Sequence, residues 1–249
     1  MSPRSKRCSL SSIPPDFSVK GFMETSFIDW KAQLASVIFS GGCNFRCPFC
    51  HNRDLVLRPQ SLEDVPFEYI LERLNKFRNW IERVVVTGGE PTVHKGLAGA
   101  IGTLKKRGLK VKLDTNGSRP DVIKGLVEAG LIDYIAMDVK GPIDTYERWC
   151  GVSVDKEKIR ESIDFILEGR IGYEFRMTLV PFLHTDEDAY EVAREIMPAR
   201  RFFLQEFVPR DTLDARYASI RPFSPEKMRA IRETVDGIIE NAPVRHHIY

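Results

Sequence analysis

Apolar residues recur along this chain with two alternating periods. Six short runs rich in β-branched and aromatic residues, at positions 34–40, 83–87, 110–114, 133–138, 173–180 and 201–207, predict mostly buried strands. Between them the spacing becomes helical: Phe67, Ile70, Leu71, Leu74, Phe77 and Ile81 share one face, as do Leu97, Ile101 and Leu104. Val122, Ile123, Leu126 and Val127 mark a third helix that Gly130 would cap. Ile159, Ile163 and Ile166 mark a fourth, and Tyr190, Ala193 and Ile196 a weaker fifth. Ser224 before Pro225 supplies an N-cap and first-turn signal for the last, whose stripe runs through Met228, Ile231, Val235 and Ile238.

Strand followed by helix, six times over, predicts parallel strands joined by right-handed helical crossovers. Such units build either an open doubly wound sheet or a barrel, and six are too few for the full eight-stranded closure. The expectation is α/β, an incomplete (β/α)6 barrel of parallel strands with outer helices. Residues 1–20 carry Ser, Pro and basic residues without a period and read as a loose arm or a strap. Residues 21–249 read as one domain, since no internal repeat, long linker or like-charge block divides them.

Composition narrows the function. With 43% hydrophobic and 29% charged residues, the 249-residue chain has the makeup of a globular protein with a real core. Lys and Arg total 37 against 35 Asp and Glu, so a formal charge of +2 offers no broad cationic field for a nucleic-acid backbone. No apolar run is long enough to cross a bilayer, and the opening MSPRSKRCSL is polar, so no membrane and a cytoplasmic location are expected. Three of the five cysteines, Cys43, Cys47 and Cys50, fall within eight residues. That is too local for a disulfide framework and points to metal binding in a reducing compartment.

The loop Cys43-Asn44-Phe45-Arg46-Cys47-Pro48-Phe49-Cys50 directly follows the first predicted strand, with Gly41 and Gly42 expected to turn the backbone sharply and expose amides. Three thiolates can each take one iron of a cubane cluster, leaving the fourth iron open for something else. The competing readings are a zinc site completed by His51 or a remote residue, and free redox thiols. Zinc is disfavoured because only Cys8 and Cys150 remain to complete a set, neither beside a second ligand. The second strand ends in Thr87-Gly88-Gly89-Glu90-Pro91, where two glycines would admit a ligand close to the backbone and Glu90 would offer a carboxylate. The third is followed by Asp114-Thr115-Asn116-Gly117 and the fourth by Asp138-Val139-Lys140-Gly141, while the fifth carries Arg176. Polar residues at the carboxyl ends of the strands of an α/β fold predict one shared pocket.

These ordered motifs, from about residue 25 to 209, resemble those of radical S-adenosylmethionine enzymes, and within them the activating enzymes of glycyl radical proteins. The stretch Thr25-Ser26-Phe27-Ile28-Asp29-Trp30 ahead of VIFSGGCNFRCPFCHN is most similar to activators of anaerobic ribonucleoside-triphosphate reductase. The resemblance implies that Cys43, Cys47 and Cys50 bind one 4Fe-4S cluster whose unique iron is chelated by the amino and carboxylate groups of S-adenosylmethionine. It implies that Phe49 flanks the adenine, and that Gly88, Gly89 and Glu90 face the methionyl amino group. Asp114, Thr115, Asn116, Asp138 and Lys140 would lie around the methionyl and ribose end, with Arg176 as a further polar contact. In some relatives the equivalents of Asp114, Thr115 and Asp138 also hold a monovalent cation. The implied activity is reductive cleavage of S-adenosylmethionine to a 5'-deoxyadenosyl radical that installs a glycyl radical on a partner enzyme. Its electrons would come from a low-potential donor such as flavodoxin or ferredoxin. A radical enzyme acting on a small molecule or another protein residue, and a zinc-stabilised binding module, are the alternatives.

Other conspicuous residues read as structural. Cys150, beside Trp149, is expected to be a small buried apolar residue, and Cys8 lies in the arm. His94, His184 and the His246-His247 pair lack metal-ligand spacing, whereas His51 follows the cysteine loop and either tunes it or fixes it by a hydrogen bond. Lys105-Lys106-Arg107 is expected to be a solvated helix end. Val208-Pro209-Arg210-Asp211 stands where some pyruvate formate-lyase activators carry a histidine, which argues against that partner.

Overall fold

The computed structural model of the protein describes residues 16–31 and 33–240. Its strands are β1 (Val19–Ser26), β2 (Ala35–Ser40), β3 (Arg83–Gly88), β4 (Lys110–Thr115), β5 (Tyr134–Asp138), β6 (Gly172–Leu179) and β7 (Phe202–Glu206). The helices are α1 (Arg53–Leu57), α2 (Phe67–Lys76), α3 (Leu97–Lys105), α4 (Pro120–Glu128), α5 (Glu147–Cys150), α6 (Lys156–Leu167), α7 (Asp186–Glu195) and α8 (Pro225–Glu240). All seven strands form one sheet in the order of the sequence, β2 to β7 parallel and β1 antiparallel to β2. A doubly wound sheet reverses its strand order at a switch point. Here the order never reverses and β1 does not meet β7, so the fold is an open partial barrel.

The six expected strands are present with ends displaced by at most one residue, and the six expected helices are present too: the one after β2 stops at Lys76, short of Ile81, while α6 and α7 begin three and four residues before Ile159 and Tyr190. β1 was not expected. It begins at Val19, so Val19 and Lys20, read as part of the arm, belong to the sheet. An edge strand has only one neighbour to satisfy, and the run VKGFMETS carries too few apolar residues to signal itself. Its pairing with β2 slips between Val19 and Gly21 and again between Met23 and Ser26. The short α1 and α5 also lack a periodic stripe. Residues 1–15, Cys8 and the His246-His247 pair lie outside the described residues.

Strand alternation gives the two faces of the sheet separate tasks. Val84, Val86, Val111, Leu113, Ile135 and Met137 join the main core, together with Leu74, Ile101, Leu104, Ile123 and Ile163 from the outer helices. The intervening residues face the concave side. Ala35, Val37 and Val85 form a small apolar cluster there, with Trp30 and Phe39 packed on it. Register carries that face across the sheet: Val85 pairs with Lys112 and Lys112 with Tyr134. Asp114 pairs with Ala136 and Ala136 with Glu174, while Asp138 pairs with Arg176 and Arg176 with Phe203. β4 and β6 are therefore two-faced strands, apolar outward and charged inward.

Candidate active site

The cysteine loop leaves β2 through a tight turn in which Gly42 has φ +81°. The turn is as expected, but its amides are not exposed. Gly41 donates to Ser18 O (3.1 Å) and Gly42 to Leu55 O (2.7 Å). Four further bonds fix the loop: Arg46 N to Cys150 O (2.7 Å), Leu213 N to Cys50 O (2.9 Å), Asp214 N to Pro48 O (2.9 Å), and His51 Nε2–H to Val208 O (2.6 Å). A carbonyl only accepts, so His51 is the donor, and the segment after β7 straps the loop down. Burial pushes the Cys43 thiol up to about 11 and Cys47 up to about 12, and raises Cys50 as well. The Lys140 ammonium works against that rise on all three. Metal binding at these thiols would release their protons.

The glycines at the end of β3 serve the chain's own packing. A Cβ on Gly89 would stand 1.8 Å from Gly42 O, and one on Gly88, where φ is +113°, would stand 2.5 Å from the Ser40 backbone. Removing both side chains is what lets the Gly-Gly-Glu turn close on the cysteine loop, joined by Glu90 N to Gly42 O (2.8 Å) and Asn52 Nδ2 to Gly88 O (2.6 Å). Glu90 is 1% exposed. Its carboxylate accepts from Thr92 N (3.1 Å), Thr92 Oγ1 (2.5 Å), Thr115 Oγ1 (2.7 Å) and Asn116 N (2.6 Å). Desolvation nevertheless raises its pKa against those bonds. Glu90 thus welds β3's end to β4's, while Asn116 reaches across to Asn44 (2.9 Å).

Charges of alternating sign run up the concave face. Lys112, 3% exposed, lies 3.1 Å from Glu174 and 3.6 Å from Asp114. Arg176 bridges Asp114 (3.2 Å) and Asp138 (2.9 Å), and Lys140 stands 3.4 Å from Asp138. Burial raises Asp114, with Arg176 and Lys112 only partly compensating, and leaves its Oδ1 without a hydrogen-bond partner. Burial acts the same way on Asp138, but Arg176 and Lys140 outweigh it and hold that carboxyl low. Lys140 in turn is held above its ordinary value, its desolvation outweighed chiefly by the Asp138 carboxylate, so it stays an ammonium.

A cavity of about 100 Å³ gathers ten of the thirteen expected residues: Cys43, Cys47, Gly88, Gly89, Glu90, Asp114, Thr115, Asn116, Asp138 and Lys140. Cys50 and Phe49 do not line it. Phe49 is buried edge-on to His184, 5.9 Å between ring centres. Arg176 lines the adjoining hollow of about 520 Å³, with Lys112, Glu174, Phe27 and Gln205. Sequence reasoning missed Phe45, Asn52 and Thr87 on the cavity wall and the Lys112–Glu174 pair. Charged residues at alternate positions, Lys112 and Asp114 in β4 and Glu174 and Arg176 in β6, were the signal for that pair. Cys150 and His94 are structural as expected: Cys150 is fully buried and His94 Nε2–H donates to Gly41 O (2.7 Å). Lys105 is not a free helix end, since it pairs with Asp133 at 2.6 Å.

Residues 37–196 match the family model described as the Radical SAM superfamily, more than half of the chain. The chain belongs to the radical SAM superfamily. It is 31% identical over 232 residues to a Methanocaldococcus jannaschii protein named "Putative glycyl-radical enzyme activating enzyme", covering 91% of this chain and 95% of that one. A Haemophilus influenzae protein with the same name is 25% identical over 227 residues, covering 86% and 80%. Coproporphyrinogen III oxidase from Escherichia coli, a radical SAM enzyme by its own description, shares the fold with a TM-score of 0.56 at 19% identity over 80% of this chain. The chain spans about half, 51%, of that larger structure. Radical SAM membership implies a 4Fe-4S cluster and S-adenosylmethionine, and Cys43, Cys47 and Cys50 carry the matching CxxxCxxC spacing. The donor set fits: three thiols on one strapped loop beside a cavity whose wall includes a buried Asp114 oxygen that accepts no hydrogen bond. Among the described residues no three His, Cys, Asp or Glu side chains are grouped to hold a single metal ion. Among them, too, no helix is long and apolar enough to cross a membrane.

Proposed function

We propose that this radical SAM enzyme installs a glycyl radical on a partner enzyme, and that the partner is an anaerobic ribonucleoside-triphosphate reductase. The observation carrying the first part is the match, over nine-tenths of the chain, to a protein named for glycyl-radical enzyme activation. The second rests on the segment Thr25–Trp30 ahead of the cysteine strand, which resembles the reductase activators. Cys43, Cys47 and Cys50 would hold the cluster, with flavodoxin or ferredoxin as electron donor. Bound together, the reduced cluster and S-adenosylmethionine would supply a 5'-deoxyadenosyl radical that takes a hydrogen atom from a glycine Cα.

The chain's own residues then bind and orient. Lys140 keeps its proton and can donate to a carboxylate, as Arg176 can. The Asp114 oxygen that accepts no hydrogen bond, 3.6 Å from the Lys112 ammonium, can accept from an ammonium or a ribose hydroxyl. Glu90, saturated by its own neighbours, fixes the shape of the wall. The chemistry requires water to be kept from the reacting atoms, which a small cavity favours, and a peptide segment without a side chain can approach it closely.

Two measurements test this. Anaerobic reconstitution with iron and sulfide, then dithionite and S-adenosylmethionine, should give 5'-deoxyadenosine, and Cys47→Ser should bind less than about a tenth of the iron and give none. Co-incubation with the reductase should give an electron paramagnetic resonance signal of a glycyl radical. Nucleoside product without that signal would move the enzyme to a small-molecule or side-chain substrate, and no product from cluster-loaded protein would remove the enzymatic reading altogether.

A further inference from the structure

His184, in the loop between β6 and α7, is 3% exposed and does not line the cavity. Its Nδ1 accepts the Val180 N–H at 3.0 Å, and an amide can only donate, so Nδ1 carries no proton. The proton therefore sits on Nε2, which donates to Lys140 O at 2.8 Å. The ring lies flat on Trp149, 4.5 Å between centres at 10°, and meets the edge of Phe49. Trp149 covers Gly141, where a Cβ would come within 2.5 Å of the indole. One imidazole thus joins three segments: the β6–α7 loop, the Asp138-Val139-Lys140-Gly141 turn and the cysteine loop.

We propose that His184 is a positioning residue for S-adenosylmethionine binding, acting through the Lys140 backbone to hold the Lys140 ammonium at the cavity wall. This rests on the radical SAM site described above. Neither of its two hydrogen bonds is interchangeable with the other. The bond to Val180 stays within four residues and shapes a loop. The bond to Lys140 spans 44 residues and ties that loop to the cavity wall. Burial beside Trp149 and Phe49, which pulls the His184 pKa down to about 4, keeps the ring neutral and preserves this donor and acceptor assignment at ordinary pH.

Two substitutions separate the bonds. His184→Gln carries an amide donor near the Nε2 position and can keep the Lys140 bond, whereas His184→Asn carries an acceptor near Nδ1 and keeps only the Val180 bond. S-adenosylmethionine affinity of the cluster-loaded proteins should fall about tenfold in His184→Asn and about twofold or less in His184→Gln, with iron content unchanged in both. In the metal-free chain, hydrogen exchange of the peptide spanning residues 139–146 should speed up in His184→Asn alone. Equal losses in the two variants, or unaltered exchange in His184→Asn, would overturn the proposal. Wild-type protein that takes up a cluster but binds no S-adenosylmethionine would count against the radical SAM site itself, and the exchange measurement would still decide whether His184 holds the Lys140 backbone.

Discussion

The concave face of the sheet has two halves of opposite chemistry. Toward β2 and β3 it is a wall: Ala35, Val37 and Val85 are fully buried against each other and against Trp30 and Phe39. Toward β4, β5 and β6 it carries Lys112, Arg176 and Lys140 interleaved with Glu174, Asp114 and Asp138. The wall gains stability from each apolar group removed from water. The charged half does not, because desolvating ion pairs costs about as much as their attraction returns. A chain selected only to fold would carry the wall across the whole face. That the other half is charged, and ends at the cysteine loop, marks it as the half kept for a polar ligand.

Exchanging the chemistry of the halves tests that division. Val85→Asp puts an unpaired carboxylate into the wall and should destabilise the chain by about 4 kcal/mol, measured by denaturant unfolding of the metal-free protein. Lys112→Met leaves Glu174 and Asp114 without their shared cation and should cost about 3 kcal/mol. Adding Glu174→Gln should recover all but about 1 kcal/mol, since it removes the buried charge that Lys112→Met leaves without a partner. If the double variant folds as well as wild type yet binds S-adenosylmethionine more weakly, the pair belongs to recognition and not to stability.

The smallest effect expected is a pH dependence from His184, which sits behind the charged half near Lys140, Asp188 and Arg148. Its folded pKa, about 4, lies below the ordinary 6.5, so between those values the unfolded chain takes a proton that the folded chain refuses. Stability from this group is full above pH 6.5 and is lost as the pH falls toward 4. Wild type should therefore lose up to about 1 kcal/mol more than His184→Gln between pH 6 and pH 5, read from paired unfolding curves.

The wall and the charged half were not equally legible. Periodicity reveals apolar strands and amphipathic helices directly, which is why the six parallel strands and the partial barrel could be read from residue order. Motif spacing located Cys43, Glu90, Asp114 and Lys140. It could not say what each side chain turns toward. Glu90 was expected to offer its carboxylate to a ligand, but Thr92, Thr115 and Asn116 surround it; Gly88 and Gly89 answer to Ser40 and Gly42, residues more than forty positions away. The Lys112–Glu174 pair spans 62 residues and exists only because β4, β5 and β6 take one particular register. Such long-range pairings depend on how strands align, which local composition does not encode. β1 failed for the opposite reason, being local but too polar to stand out.

That polarity has a consequence for the molecule among its neighbours. A sheet that stops short of closing keeps an outer strand whose unpaired amides and carbonyls can recruit a strand from another copy. β1 answers with its two slips in register, which spoil any straight template, and with Lys20 and Glu24 anchored by Asp64 and Arg73. Straightening and neutralising that rim would leave a strand edge prone to stack into fibrils.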